Sequence, residues 1–259
     1  MDAWWVDEGL PHNVINAIAQ TPDGYLWVGT QGGLTRFDGT RFAPAQQRPF
    51  DTAAIRDLYA DAEGRLWVLG QYGEVAFVRD GRIRSFGTND GAPASGLQAP
   101  AEDAKGNIWF SGREGEGCFR LTGDRFTNAI PNCGPFWSMA FDTDGALYGA
   151  SVNELWKAAP GQPAAVRAAT VVQPSRRGGF WVAAGRECCF MRGGKWTKLA
   201  DLPQEPVNAP QVTAHYEDSA GRFWITSWQH VPPVSVDTNG VVEEHDFNSR
   251  PNMLCRALF

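Results

Sequence analysis

The sequence predicts an all-β protein, a β-propeller of four-stranded blades, and three observations carry that reading. One phrase, a glycine turn leading into an apolar strand with a central aromatic, recurs six times. Each copy sits in the same order of four short strand-like segments, and no 3.6-residue apolar periodicity runs through any of them.

The phrases are DGYLWVGT from Asp23, EGRLWVLG from Glu63, KGNIWFSG from Lys105, DGALYGAS from Asp144, RGGFWVAA from Arg177 and AGRFWITS from Ala220. Their central aromatics, Trp27, Trp67, Trp109, Tyr148, Trp181 and Trp224, span 197 residues in five steps. A period near forty belongs to propellers and solenoids. Before the turn lies a first strand, as in VINAIAQ from Val14, IRDLYAD from Ile55, WSMAFDT from Trp137 and VTAHYED from Val212. After the aromatic strand come a short polar loop and a third strand (LTRF, VAFV, CFRL, CCFM). A tight turn such as Asp38-Gly39 or Asp80-Gly81 leads to a fourth strand, read as ending in Phe42, Phe86, Phe126 or Trp196. Four strands per unit make a blade, and the ring in each aromatic strand fills the space between neighbouring sheets. The blades fall at about 11–43, 52–87, 96–128, 136–167, 169–200 and 211–248 of a single domain. NMLCRALF, residues 252–259, reads as the first strand of a seventh blade, so the expected architecture is a seven-bladed propeller cut in mid-repeat, with DAWWVDEGL near the start as a closing outer strand.

Composition narrows the function. The 259 residues carry 23 Lys and Arg against 29 Asp and Glu, a net charge of -6 with no run of one sign. Phosphate backbones need clustered basic side chains, so a nucleic-acid partner is not expected. No stretch reaches the ~18 apolar residues of a membrane span, and no basic-then-apolar leader opens the chain. The five cysteines form no CxxC pair and have no histidine at zinc-ligand spacing. Neither a metal nor a cofactor is expected. Cys118 and Cys133 are placed to pair if two adjacent loops bring them together. The turn glycines do not open helices in GxGxxG or GxxxxGK[ST] patterns, so no phosphate loop is present.

GLPHNVINAIAQTPDGYLWVGTQGGLTRFDGTRF, from Gly9 to Phe42, resembles the two-component regulator propeller repeat, with its hallmark GLPxNxVxxIxQxxDGxLWxGTxxGLxRFDGxxF. Later blades agree through the turn and aromatic strand, less well at Tyr148 and in the shortened fifth blade. The resemblance implies a periplasmic ligand-binding sensor region of a bacterial membrane protein. It also implies downstream partners: a β-sandwich, a membrane helix and an output domain such as a histidine kinase or diguanylate cyclase. A homodimer and a small-molecule or oligosaccharide ligand are expected on the same ground.

Propeller geometry places a ligand on the axis face, where the loops between second and third strands meet those between blades. The first set offers Gln31, Gln71 with Tyr72, Arg113 with Glu114 and Glu116, Asn153 with Glu154, Arg186 with Glu187, and Trp228-Gln229-His230; the second offers His12, Asn13, Asn132 and Asn208. Amides, Arg and Glu supply directional hydrogen bonds to hydroxyls and carboxylates, and Trp228 a stacking ring. No catalytic residue is expected. Two other readings stand beside this one. Some seven-bladed propellers with similar repeats, the streptogramin-inactivating enzymes, are metal-assisted lyases, for which only His12 and His230 would be suitably placed, since His215 lies on a strand and His245 near the rim. The third reading is a protein-interaction scaffold.

Overall fold

The computed structural model describes residues 6–45, 50–151, 154–158, 164–203, 212–227 and 232–245. Its regular structure is strand throughout, apart from single 3-10 turns at Val6–Glu8 and Thr88–Asp90. Six four-stranded antiparallel sheets follow one another along the chain, each a meander in which every strand pairs with the next.

The first sheet contains β1 (Ile15–Gln20), β2 (Leu26–Thr30), β3 (Gly33–Phe37) and β4 (Phe42–Pro44); the second β5 (Ile55–Ala60), β6 (Leu66–Gly70), β7 (Val75–Arg79) and β8 (Arg82–Phe86). The third is β9 (Leu97–Glu102), β10 (Ile108–Gly112), β11 (Gly117–Thr122) and β12 (Arg125–Pro131); the fourth β13 (Ser138–Phe141), β14 (Leu147–Ser151), β15 (Glu154–Ala158) and β16 (Ala164–Arg167). The fifth holds β17 (Val171–Pro174), β18 (Phe180–Ala184), β19 (Glu187–Arg192) and β20 (Lys195–Asp201), and the sixth β21 (Val212–Glu217), β22 (Phe223–Ser227), β23 (Val234–Val236) and β24 (Val242–Glu244). These are the six blades of a β-propeller, each with its aromatic phrase on the second strand.

Why the second strand reads as a continuous apolar run is visible in its burial. All five residues of β6 and of β18 are buried; β18 packs one face against blade four and the other against blade six. The described residues divide into two compact units. One holds those up to Leu97 together with Gly123–Phe126, the other Gln98–Thr122 and those from Thr127 onward. In the first unit, Leu34, Phe50, Ile55, Leu66 and Val68 join the facing surfaces of blades one and two. In the second, Phe136 and Met139 bridge blades three and four, Val172 and Phe180 blades four and five, and Trp181 and Phe223 blades five and six. Trp181 stacks on Phe223 at 5.4 Å and 12°.

Three details differ from the sequence expectation. Phe42 opens β4, and Phe126 and Trp196 are second residues of their strands; only Phe86 ends its own. The ring packs where the outer strand leaves the turn, and β12 and β20 bury a second residue further along, Ile130 and Ala200. Val6–Glu8 is a 3-10 turn, not an outer strand, and its start is tied down by Asn13, whose side-chain oxygen accepts from the Val6 N–H at 3.0 Å. Glu154 and Glu187 are the first residues of β15 and β19, not loop residues. The segment read as a seventh blade, 252–259, and residues 1–5 lie outside the described residues.

Candidate functional site

The turn before each aromatic strand is set by one repeated device. Six residues before the aromatic stands Thr21, Asp61, Asp103, Asp142, Ser175 or Asp218. Its carbonyl accepts from a glycine N–H three residues on, for example Gly64 to Asp61 at 3.0 Å and Gly221 to Asp218 at 2.9 Å. Gly64 has φ +78°, a left-handed conformation in which a Cβ is strained. The side chain then takes the indole N–H: Trp67 to Asp61 at 2.8 Å, Trp109 to Asp103 at 3.0 Å, Trp224 to Asp218 at 2.8 Å, and Trp27 to the Thr21 hydroxyl at 3.1 Å. Burial pushes the Asp218 carboxyl up, but bonds from Trp224 and Arg222 outweigh it and hold the group below its ordinary range; Asp103 is held down in the same way by Asn107 and Trp109. Trp67 is fully buried, and Trp27 and Trp109 are half-buried against the core.

Blade four carries Tyr148 and leaves Asp142 without an indole. Asp142 instead accepts from the backbone of the fifth blade's turn, Gly193 N–H at 2.8 Å and Gly194 N–H at 2.7 Å. Blade five has Ser175 at that position, and Trp181 turns to Glu217 of blade six at 3.1 Å.

One register lower, five residues before the aspartate position, the first five blades present Asn16, Arg56, Gln98, Trp137 and Thr170. Asn16 donates to the Ile55 carbonyl at 2.8 Å and Gln98 to the Phe136 carbonyl at 2.8 Å, two equivalent bonds that link consecutive blades. Trp137 is the exception. Its N–H donates to Ala150 at 2.7 Å, while its side chain is 45% exposed. The preceding Phe136 is 1% exposed and fills space that a Cβ on Gly149 would occupy.

The candidate ligand residues fall into separate groups. In the first unit, His12 accepts from the Val14 N–H through Nδ1 at 2.9 Å, and Asn13 holds Val6, so both shape the entry to β1. Gln31 is exposed beside them, its N–H bonded to Val14 O at 3.1 Å. Tyr72 is 82% exposed in the β6–β7 turn. In the second unit, the loop 113–116 lies against the loop 132–137. Asn132 N–H donates to Glu116 O at 3.3 Å, and a Cβ on Gly115 would stand 3.3 Å from Gly134 O. Glu114 is exposed and Arg113 half-buried, and Glu116 accepts from the Glu114 N–H at 3.1 Å. Arg186 spans to the Leu202 and Pro203 carbonyls at 3.2 and 3.1 Å. Glu187 bonds Arg167 at 2.8 Å and Lys198 at 3.3 Å, and those partners hold its carboxyl below the ordinary range. Trp228, Gln229, His230, Asn153 and Asn208 lie outside the described residues.

Arg113, Glu114, Asn132 and Trp137 therefore share one neighbourhood of adjoining loops. The sequence does not single out Trp137 because WSMAFDT reads as a strand; the signal is its apolar ring where blades one, two, three and five carry polar or charged side chains. The remaining described histidines are engaged elsewhere. His215 Nδ1 lies 2.7 Å from the Gln173 side-chain Oε1, and His245 bonds Ser235 at 2.8 Å and packs on Trp224 at 4.3 Å. Among the described residues no three His, Cys, Asp or Glu side chains converge as a metal site would require.

The fold and this loop cluster define a repeat propeller with a polar, aromatic-bearing loop face. Residues 9–32 match the family model of the two-component regulator propeller. No curated protein is significantly similar in sequence. Among solved structures, a streptogramin B lyase is 18% identical with a TM-score of 0.74, covering 93% of this chain and 86% of the other. The virginiamycin B lyase of Staphylococcus aureus is 17% identical with a TM-score of 0.71, over 92% and 85% of the two chains. The extracellular domain of a putative hybrid two-component system from B. thetaiotaomicron is 16% identical with a TM-score of 0.71. It is covered over 37% of its length by 99% of this chain. At such identities the likeness shows the fold.

Proposed function

We propose that this chain is the ligand-binding propeller of a bacterial two-component sensor, extracytoplasmic and without catalytic activity of its own. Its ligand is a polyhydroxylated or carboxylated molecule such as an acidic oligosaccharide. The observation that carries the site is the exposed ring of Trp137 in the loop that adjoins Arg113 and Glu114. An aromatic face stacks on a sugar ring, a guanidinium grips a carboxylate in two bonds, and Asn132 adds an amide. The repeat match at residues 9–32 and the likeness to an extracellular sensor domain support the setting. Binding would bias how downstream segments dock, and so the output.

The lyase reading draws on the structural likeness to the streptogramin and virginiamycin enzymes. Against it, His12, His215 and His245 are each tied into local structure.

A thermal-shift screen with oligouronates, neutral oligosaccharides and a streptogramin B tests both. At a hundredfold excess over Kd an acidic oligosaccharide should raise Tm by about 5–10 °C. Trp137→Ala should abolish that rise with little change in the Tm of the free protein. A rise that survives in Trp137→Ala, or a rise given by the streptogramin B and not by the acidic oligosaccharide, overturns the proposal.

A further inference from the structure

Cys118 opens the buried half of β11, and Cys133 sits in the loop that leads from β12 to β13. Their sulfurs are 2.7 Å apart, about 0.7 Å longer than the ~2.0 Å of a covalent S–S bond. Both residues are buried, at 0% and 3% exposure, among Ala99, Ile130 and Met139. The backbone aims them at each other. Asn132 at φ +58° and Gly134 at φ +83° flank Cys133 with two left-handed residues that turn its side chain inward. The Asn132 N–H and the Asn128 side-chain amide both bond the Glu116 carbonyl, at 3.3 and 2.9 Å, and pin the loop two residues before Cys118. Burial alone would pair two small hydrophobes anywhere; here hydrogen bonds on both sides fix one contact. Cys188 and Cys189, by contrast, are neighbours on one strand whose side chains point to opposite faces. Burial pushes the Cys188 thiol up to about 12, which leaves it inert.

We infer that Cys118 and Cys133 form a disulfide in the mature protein, made by exchange with the disulfide of a thiol oxidoreductase. The Cys133 thiolate attacks one sulfur of the oxidant and expels its first thiol. The Cys118 thiolate then attacks Cys133 Sγ and expels the second. Two protons leave the cysteines, and two electrons reduce the oxidant to its dithiol. The hydrogen bond from Cys118 favours Cys133 as the first thiolate, since it lowers the Cys133 thiol and raises the Cys118 thiol. The bridge closes a short span between β11 and the 132–137 loop, and so fixes the loop that carries Trp137 against the one that carries Arg113. It is independent of the ligand reading.

The test is thiol counting by mass spectrometry on the full chain, equilibrated with oxidised glutathione, denatured and alkylated. Of the five cysteines, three should be alkylated without reductant and all five after it, and a non-reducing digest should yield one peptide pair linking Cys118 to Cys133. Reduction of the folded protein should lower Tm by about 6–12 °C, a shift that the Cys118→Ser/Cys133→Ser variant no longer shows. Five alkylated cysteines without reductant, or a cross-link through Cys188, Cys189 or Cys255, overturns the inference whether or not the double variant folds.

Discussion

A buried indole brings one N–H that must find an acceptor inside the protein. In blades two, three and six that acceptor is an aspartate six residues earlier, which also takes bonds from the residue two before the tryptophan. Asp61, 3% exposed, accepts from Trp67 at 2.8 Å and from Arg65 Nε at 2.6 Å. One side chain thus closes the turn, anchors the ring and neutralises a guanidinium. Asp61→Ala should cost about 2–3 kcal/mol by chemical denaturation, because it leaves the buried Trp67 N–H without its acceptor and Arg65 with only the exposed Glu63 carboxylate at 3.3 Å. Thr21→Val, which removes a neutral acceptor from Trp27, should cost about 1 kcal/mol. Equal, negligible losses would mean that ring packing alone holds these turns.

At the scale of strands, the inner edge of two blades carries titratable groups with opposed pH responses. Burial lowers His215 on β21 to about 4, and raises Asp57 on β5 to about 6. The folded His215 binds its proton less readily than the unfolded chain, so its contribution is full above about 6.5 and is lost as pH falls toward 4. The folded Asp57 binds its proton more readily, so its contribution is full below about 3.8 and is lost as pH rises toward 6. Discounted for partial exposure, each amounts to about 1–2 kcal/mol, and between pH 4 and 6 they offset. His215→Gln should therefore gain stability as pH falls from 6 to 4, and Asp57→Asn should lose it, when urea midpoints are compared across that range. Parallel curves for both variants would place the titrating groups elsewhere.

The elements themselves were legible in the sequence because a blade repeats its own grammar. The turn glycine, the aromatic and the residue six before it recur, and errors in one copy are corrected by the other five. Blade four shows the limit. Its Tyr148, Gly149 and Phe136 form one compensated set, in which a missing indole frees Asp142 for the next blade and a missing side chain admits a ring. Such exchanges between blades leave no mark in a single repeat. For the same reason Trp137 passed as a strand residue: its exposure depends on which face the register presents, and only the comparison with Asn16, Gln98 and Thr170 exposes the break in pattern. His12 and Asn13 stood out as loop polar residues, yet their described bonds tie down the start of the first blade.

The whole molecule combines six sheets built alike with one loop neighbourhood that departs from them. Repeat residues serve packing, and the departure is where the proposed ligand site lies. The direct measurement is hydrogen–deuterium exchange of the full chain with and without a saturating acidic oligosaccharide mixture. Backbone amides of 113–116 and 132–137 should slow together, with the central aromatic strands unchanged. Protection confined to other segments, such as the arginine-lined groove at Arg79, Arg82 and Arg84, or no protection at all, would contradict the claim that this loop pair is the ligand site.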